Sequence, residues 1–100
     1  MSSGPSGTRA EGQFTVRSEL GLHARPAGRF ASLASQFESE ITLGRGDEWV
    51  SGASVLSILC LAAGQGTVLR IRAEGVDAGR AVEELGALLE SCDEEAPPPA

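Results

Sequence analysis

Gly21-Leu22-His23-Ala24-Arg25-Pro26-Ala27 is the stretch at which the periodicity of a strand gives way to that of a helix. Proline has no N–H to donate, so it is comfortable in a helix only within the first turn. Pro26 therefore sets a helix start just after His23. Downstream, Ala27, Phe30, Ala31 and Ala34 recur at helical spacing, and Phe37 closes the segment. Upstream, Phe14 and Val16 alternate with Thr15 and Arg17 as in a half-buried strand, and residues 18–22 form the loop between.

Further along the chain the two periods keep alternating. Ile41 and Leu43 predict a second strand, residues 44–47 a turn, and Trp49 and Val50 a third strand. Ser54 stands as an N-cap before Val55, Leu56, Ile58, Leu59 and Leu61, a short helix ended by Gly64-Gln65-Gly66. Residues 67–74 alternate again, with Leu69, Ile71 and Ala73 on one face and Val68, Arg70 and Arg72 on the other. Asp77 then caps a last helix whose apolar stripe is Ala78, Ala81, Val82, Leu85, Leu88 and Leu89. The order β-α-β-β-α-β-α predicts an α+β fold in two layers: a four-stranded antiparallel sheet with three helices on one face. The other sheet face would carry Arg17, Trp49, Arg70 and Arg72. An ordinary solvated face accounts for these, and cation–π contacts are the alternative.

At 100 residues the chain is one small domain with a modest core, so a deep enclosed cavity is not expected. Hydrophobic residues make up 41% and charged residues 22%, the ordinary globular mixture. Residues 1–12, rich in Gly and Ser, read as a flexible leader, residues 13–92 as the domain, and residues 93–100 as a disordered acidic and proline tail. The formal charge is −6, and Asp93, Glu94 and Glu95 of the tail supply half of it. All eight basic side chains are arginine, and no lysine is present. Without clustered positive charge, nucleic-acid binding is disfavoured. His23 is the single histidine, which excludes a two-histidine metal site, and a Schiff-base lysine is impossible. No metal and no cofactor are expected. Cys60 and Cys92 form no Cys-x-x-Cys pair, and Cys60, in an apolar run, reads as a small buried hydrophobe. No signal peptide or membrane-length apolar run is found, so a reduced, soluble, cytoplasmic protein without membrane insertion is expected.

The chemistry concentrates at the first helix. A helix N-terminus carries unpaired N–H groups and partial positive charge, and it binds anions. An imidazole at such an end that holds a free lone pair can act as a nucleophile. The backbone N–H groups of Ala24 and Arg25 could receive phosphoryl oxygens, and the Arg25 guanidinium adds a forked cation suited to phosphate. Phosphoryl transfer asks mainly for positioning and charge neutralisation, which a surface site can supply. On the residues alone two readings stand: a phosphoryl acceptor, or a histidine that only decorates a helix end.

With these residues in view, the chain resembles the histidine-containing phosphocarrier proteins, HPr, of the bacterial phosphoenolpyruvate-dependent sugar phosphotransferase system. The likeness rests on Gly21-Leu22-His23-Ala24-Arg25-Pro26-Ala27 and on a second block from Ser54 that ends Leu61-Ala62-Ala63-Gly64-Gln65-Gly66-Thr67. It covers about residues 13 to 91. The resemblance implies an open-faced β-sandwich. It implies that His23 accepts a phosphoryl group on Nδ1 from phosphorylated enzyme I and passes it to an EIIA domain. Arg25 matches the active-site arginine. Ser54 matches a serine that HPr kinase/phosphorylase modifies in many bacteria. The protein would then be a monomeric carrier, not a free-standing catalyst.

The resemblance also implies a docking surface, here Arg29, Val55, Leu56, Leu59 and Ala63. Relatives often carry lysines around it, including one just before the regulatory serine, where this chain has Ala53. Partner choice and electrostatic steering are what that difference touches. Two other readings remain: a regulatory interaction module controlled through Ser54, which the presence of His23 and Arg25 argues against, and a ligand-binding module that shares only the fold.

Overall fold

The computed structural model describes residues 9–91. Four strands form one antiparallel sheet in the order β1-β4-β2-β3, with β1 at Arg9–Thr15, β2 at Ser39–Arg45, β3 at Glu48–Ser51 and β4 at Val68–Gly75. Three helices complete the domain: α1 at Ala24–Ala34, α2 at Val55–Cys60 and α3 at Ala78–Leu89. Helix α3 packs on β1 and β4, α2 touches β3, and α1 packs against α2 and α3. The predicted two-layer α+β architecture is the observed one.

The alternation read in β4 decides where the core lies. Leu69, Ile71 and Ala73 are fully buried, and they meet Ile41 and Leu43 of β2, Phe30 of α1, Ile58 of α2 and Leu85 of α3 in one cluster. Phe14 reaches this layer through a gap left by glycine. A Cβ at Gly86 would collide with the Phe14 ring, so α3 lies close on β1 only because position 86 has no side chain.

The sheet extends further than its hydrophobic pattern shows. Strand β1 starts at Arg9, and Arg9, Ala10, Glu11 and Gly12 pair with Glu74, Ala73, Arg72 and Ile71. Residues 9–12 thus belong to the sheet and not to a leader. Central strand β4 supplies their hydrogen-bond partners, so a weakly apolar segment is held by backbone pairing. Residues 1–8, Cys92 and the acidic tail lie outside the described residues.

Four other expectations change. Strand β1 ends at Thr15, so Arg17 leaves the sheet face and sits by Gln65, whose side chain donates to the Arg17 carbonyl at 3.2 Å. Helix α1 stops at Ala34, and Phe37 packs from the turn that follows. Cys60 is exposed, because the buried side of the two-turn α2 is used by Ile58. Asp77 holds the N-cap position of α3, yet its side chain makes no bond to the helix. Its carboxylate accepts from the Ser39 hydroxyl and from the Glu38 N–H, tying α3 to the start of β2. These bonds, the Ser39 hydroxyl first, hold the Asp77 carboxyl below the usual carboxylate range.

On the open sheet face the cation–π alternative is realised. The guanidinium carbons of Arg72 and Arg70 lie 4.1 and 4.8 Å from the centre of the Trp49 ring. Arg72 also pairs with Glu11 at 3.4 Å, and Arg70 donates to the Gly46 carbonyl at 2.8 Å.

Candidate functional site

The two sequence blocks meet through backbone. Gly21 has φ +74, and a Cβ there would lie 2.7 Å from both the Ala63 carbonyl oxygen and the Gly64 Cα. Only glycine permits that conformation at that distance. The next residue completes the junction: the Leu22 N–H donates to the Ala63 carbonyl at 2.8 Å, and the Leu22 side chain is buried. The loop after α2 therefore forms the floor on which the lead-in to α1 rests.

His23 follows at once. It is the N-cap of α1, with extended backbone and with its carbonyl accepting the Ala27 N–H at 2.9 Å. Its ring makes no capping bond. The ring is half-buried, and Nε2 is shut away from solvent with no hydrogen-bond partner in the protein. Ala24 and Arg25 take the first two helical positions, whose N–H groups a helix leaves unpaired. Pro26 has no N–H to offer, and its ring is buried. Arg25 is exposed, and with Gly28, Arg29 and Ser32 it lines a shallow groove along α1. The structure thus places the ring of His23 and two first-turn N–H groups at one helix end, with Arg25 exposed on the first turn beside them. Chemically, that end offers a nucleophile beside positive charge and free donors.

Ser54 caps α2 in the ordinary way. Its backbone is extended and its hydroxyl accepts the Ser57 N–H at 3.2 Å. It stands at the opposite end of α2 from the Ala63–Gly64 floor, separated by the length of the helix, about 9 Å at 1.5 Å per residue.

The residues expected to form a partner surface divide. Leu56 is 74% exposed and Val55 is 38% exposed, so both are available. Arg29 is exposed on α1. Leu59 is half-buried and packs against the core. Ala63 is 5% exposed and cannot present its side chain; its part is the carbonyl given to Leu22. Two residues escaped the sequence reading. Leu20 is 73% exposed three positions before His23, and an apolar residue in a loop without periodicity was its only signal. Arg45, read as part of a turn, reaches the end of α2.

Residues 10–91 match the family described as PTS HPr component phosphorylation site. The phosphocarrier protein NPr of Shewanella violacea is 42% identical over 89 residues, which is 89% of this chain and 98% of that one. The phosphocarrier protein HPr of Xylella fastidiosa is 38% identical, covering 81% of this chain and 91% of its own. Among solved structures, the phosphocarrier protein HPr of Bacillus anthracis superposes with a TM-score of 0.78 at 33% identity, over 81% of this chain and 96% of that one.

Proposed function

The chain belongs to the family of HPr components of the phosphotransferase system, and from that membership we propose that His23 is the phosphoryl acceptor, charged by enzyme I and discharged to an EIIA domain. Family members are phosphocarriers and not catalysts. The observation that carries the residue-level reading is the posture of the ring. His23 occupies an N-cap without spending its side chain on the helix, and its Nε2 is sealed. A donor outside the fold cannot reach Nε2, which leaves Nδ1 as the nucleophile.

In the charging step the Nδ1 lone pair forms a bond to phosphorus. The bond from phosphorus to the donor breaks, and its electron pair leaves with the donor. A ring with a free lone pair on Nδ1 keeps its proton on Nε2, so no proton need move in this step. The negative oxygens then face the Ala24 and Arg25 N–H groups and the Arg25 guanidinium, which lower the cost of gathering charge. Discharge to the next protein runs the same steps in reverse. Among the described residues no helix is long and apolar enough to cross a membrane. We place this carrier in the cytoplasm as a monomer, where it moves between its two partners.

The test is direct. The protein is incubated with phosphoenolpyruvate and enzyme I, and acid-labile phosphate is measured before and after adding an EIIA domain. Phosphate on the wild type and none on His23→Ala is the expected result. Labelling that persists in His23→Ala, or none in the wild type with a competent enzyme I, overturns the assignment.

A second reading concerns Ser54, because its hydroxyl lies at a helix N-terminus beside exposed Val55 and Leu56. A phosphate there adds about −1.5 to −2 charge, which the helix end tolerates and an already phosphorylated partner does not. Incubation with an HPr kinase/phosphorylase and ATP, followed by mass spectrometry, checks it. Absence of phosphate on Ser54 removes this reading.

A further inference from the structure

Arg45 closes β2, and its guanidinium crosses to the far end of α2. There Nη1 donates to the Leu61 carbonyl at 2.7 Å and to the Ala62 carbonyl at 2.9 Å. The last carbonyls of a helix have no partner within it, and a permanent cation is the strongest donor they can find. Leu61 is in ordinary helical backbone, but the residue after it is not. Ala62 has φ +51, and among the described residues it is the only one other than glycine with a positive φ. A Cβ makes that left-handed conformation unfavourable, and it persists only where its surroundings hold it.

The strained turn delivers the residue that follows. Ala63 turns its carbonyl to the Leu22 N–H at 2.8 Å, and Gly64 comes against Gly21 with no room for a side chain between them. Leu22 directly precedes His23. A chain of short contacts therefore runs from Arg45 through Ala62 and Ala63 to the residue that aims the imidazole.

We propose that Arg45 is a positioning residue for His23. By holding the left-handed turn at Ala62, it presents the Ala63 carbonyl to Leu22 and fixes the backbone from which the ring projects. Arg45 itself touches no phosphoryl group. The kinetic half of this proposal rests on His23 being the acceptor, whereas the structural half rests on the backbone contacts alone.

Two measurements on Arg45→Ala and Arg45→Lys test it. The first is amide hydrogen exchange at Leu22, followed by NMR. The second is phosphoryl transfer from enzyme I, resolved into kcat and KM at low and high ionic strength. In Arg45→Ala, Leu22 exchange is expected to rise about tenfold while the Ile71 amide in β4 stays protected. The kcat is expected to fall about tenfold, with KM little changed at either salt concentration. Arg45→Lys, which can still reach one carbonyl, recovers most of both. Unchanged Leu22 exchange overturns the proposal. So does a kinetic loss confined to KM that vanishes at high salt, since Arg45 would then be only a docking charge. Should Arg45→Ala fail to fold, Arg45→Gln carries the same two readings. If the wild type takes no phosphate, the carrier assignment falls, and Leu22 exchange still decides whether Arg45 holds the turn.

Discussion

Two helix starts on this molecule have the same backbone and opposite uses. Ser54 and His23 are both N-caps in extended conformation, and both accept the first backbone bond of their helix. The Ser54 hydroxyl then bonds the Ser57 N–H, whereas the His23 ring bonds nothing in α1. A cap that satisfies a helix donor is structural by default. A cap that withholds its side chain leaves first-turn donors for something else, and here they stand beside an imidazole and an arginine.

Substitutions can break that contrast. The largest effect is expected from His23→Ala, which should abolish phosphoryl uptake while costing less than about 1 kcal/mol of stability. Thermal melts beside the labelling assay check this, and a loss of several kcal/mol would make His23 a structural cap like Ser54. Arg25→Ala should slow transfer by about ten- to a hundredfold, the size expected for losing a charge-neutralising contact. Its melting temperature should hold, because Arg25 is exposed. Stopped-flow transfer kinetics decide, and unchanged rates remove Arg25 from the site. Ser54→Ala inverts the pattern: transfer should be untouched, and urea unfolding should show a loss of about 1 kcal/mol.

The third helix start gives the smallest and most conditional effect. The Asp77 carboxylate serves β2 through Ser39 and Glu38, and its pKa is held below the ordinary value. A carboxylate depressed in the folded state stabilises at pH above its unfolded pKa, about 3.9, and loses that contribution as pH falls through its folded value. Stability of the wild type should decline over that acid range more than stability of Asp77→Asn. Parallel denaturation curves from neutral pH downward measure the difference, and superimposable profiles would mean the two bonds contribute nothing.

What sequence could show depended on how local the cause was. The β4 alternation, the Pro26 helix start and the Ser54 cap are short-range, and each appears in the structure where it was expected. The placement of His23, Ala24 and Arg25 at one helix start is legible for the same reason, since they are consecutive in the chain. The pairing of residues 9–12 was not legible, because the information lies about sixty residues away in β4. Arg45 was hidden likewise, its partners lying 16 and 17 positions on. Ala63 failed as a surface residue because a carbonyl contact pulls it inward, and side-chain chemistry does not encode that.

The stacked Trp49 has a practical consequence. It is the only tryptophan in the chain, and two arginines stack on its ring on the open face of the sheet. The helices, and with them the His23 ring, stand on the other layer. Its fluorescence is therefore a built-in optical signal for the integrity of the sheet. Phosphoryl loading should leave that emission steady and unfolding should shift it, so one cuvette can follow folding while a second assay follows the cargo.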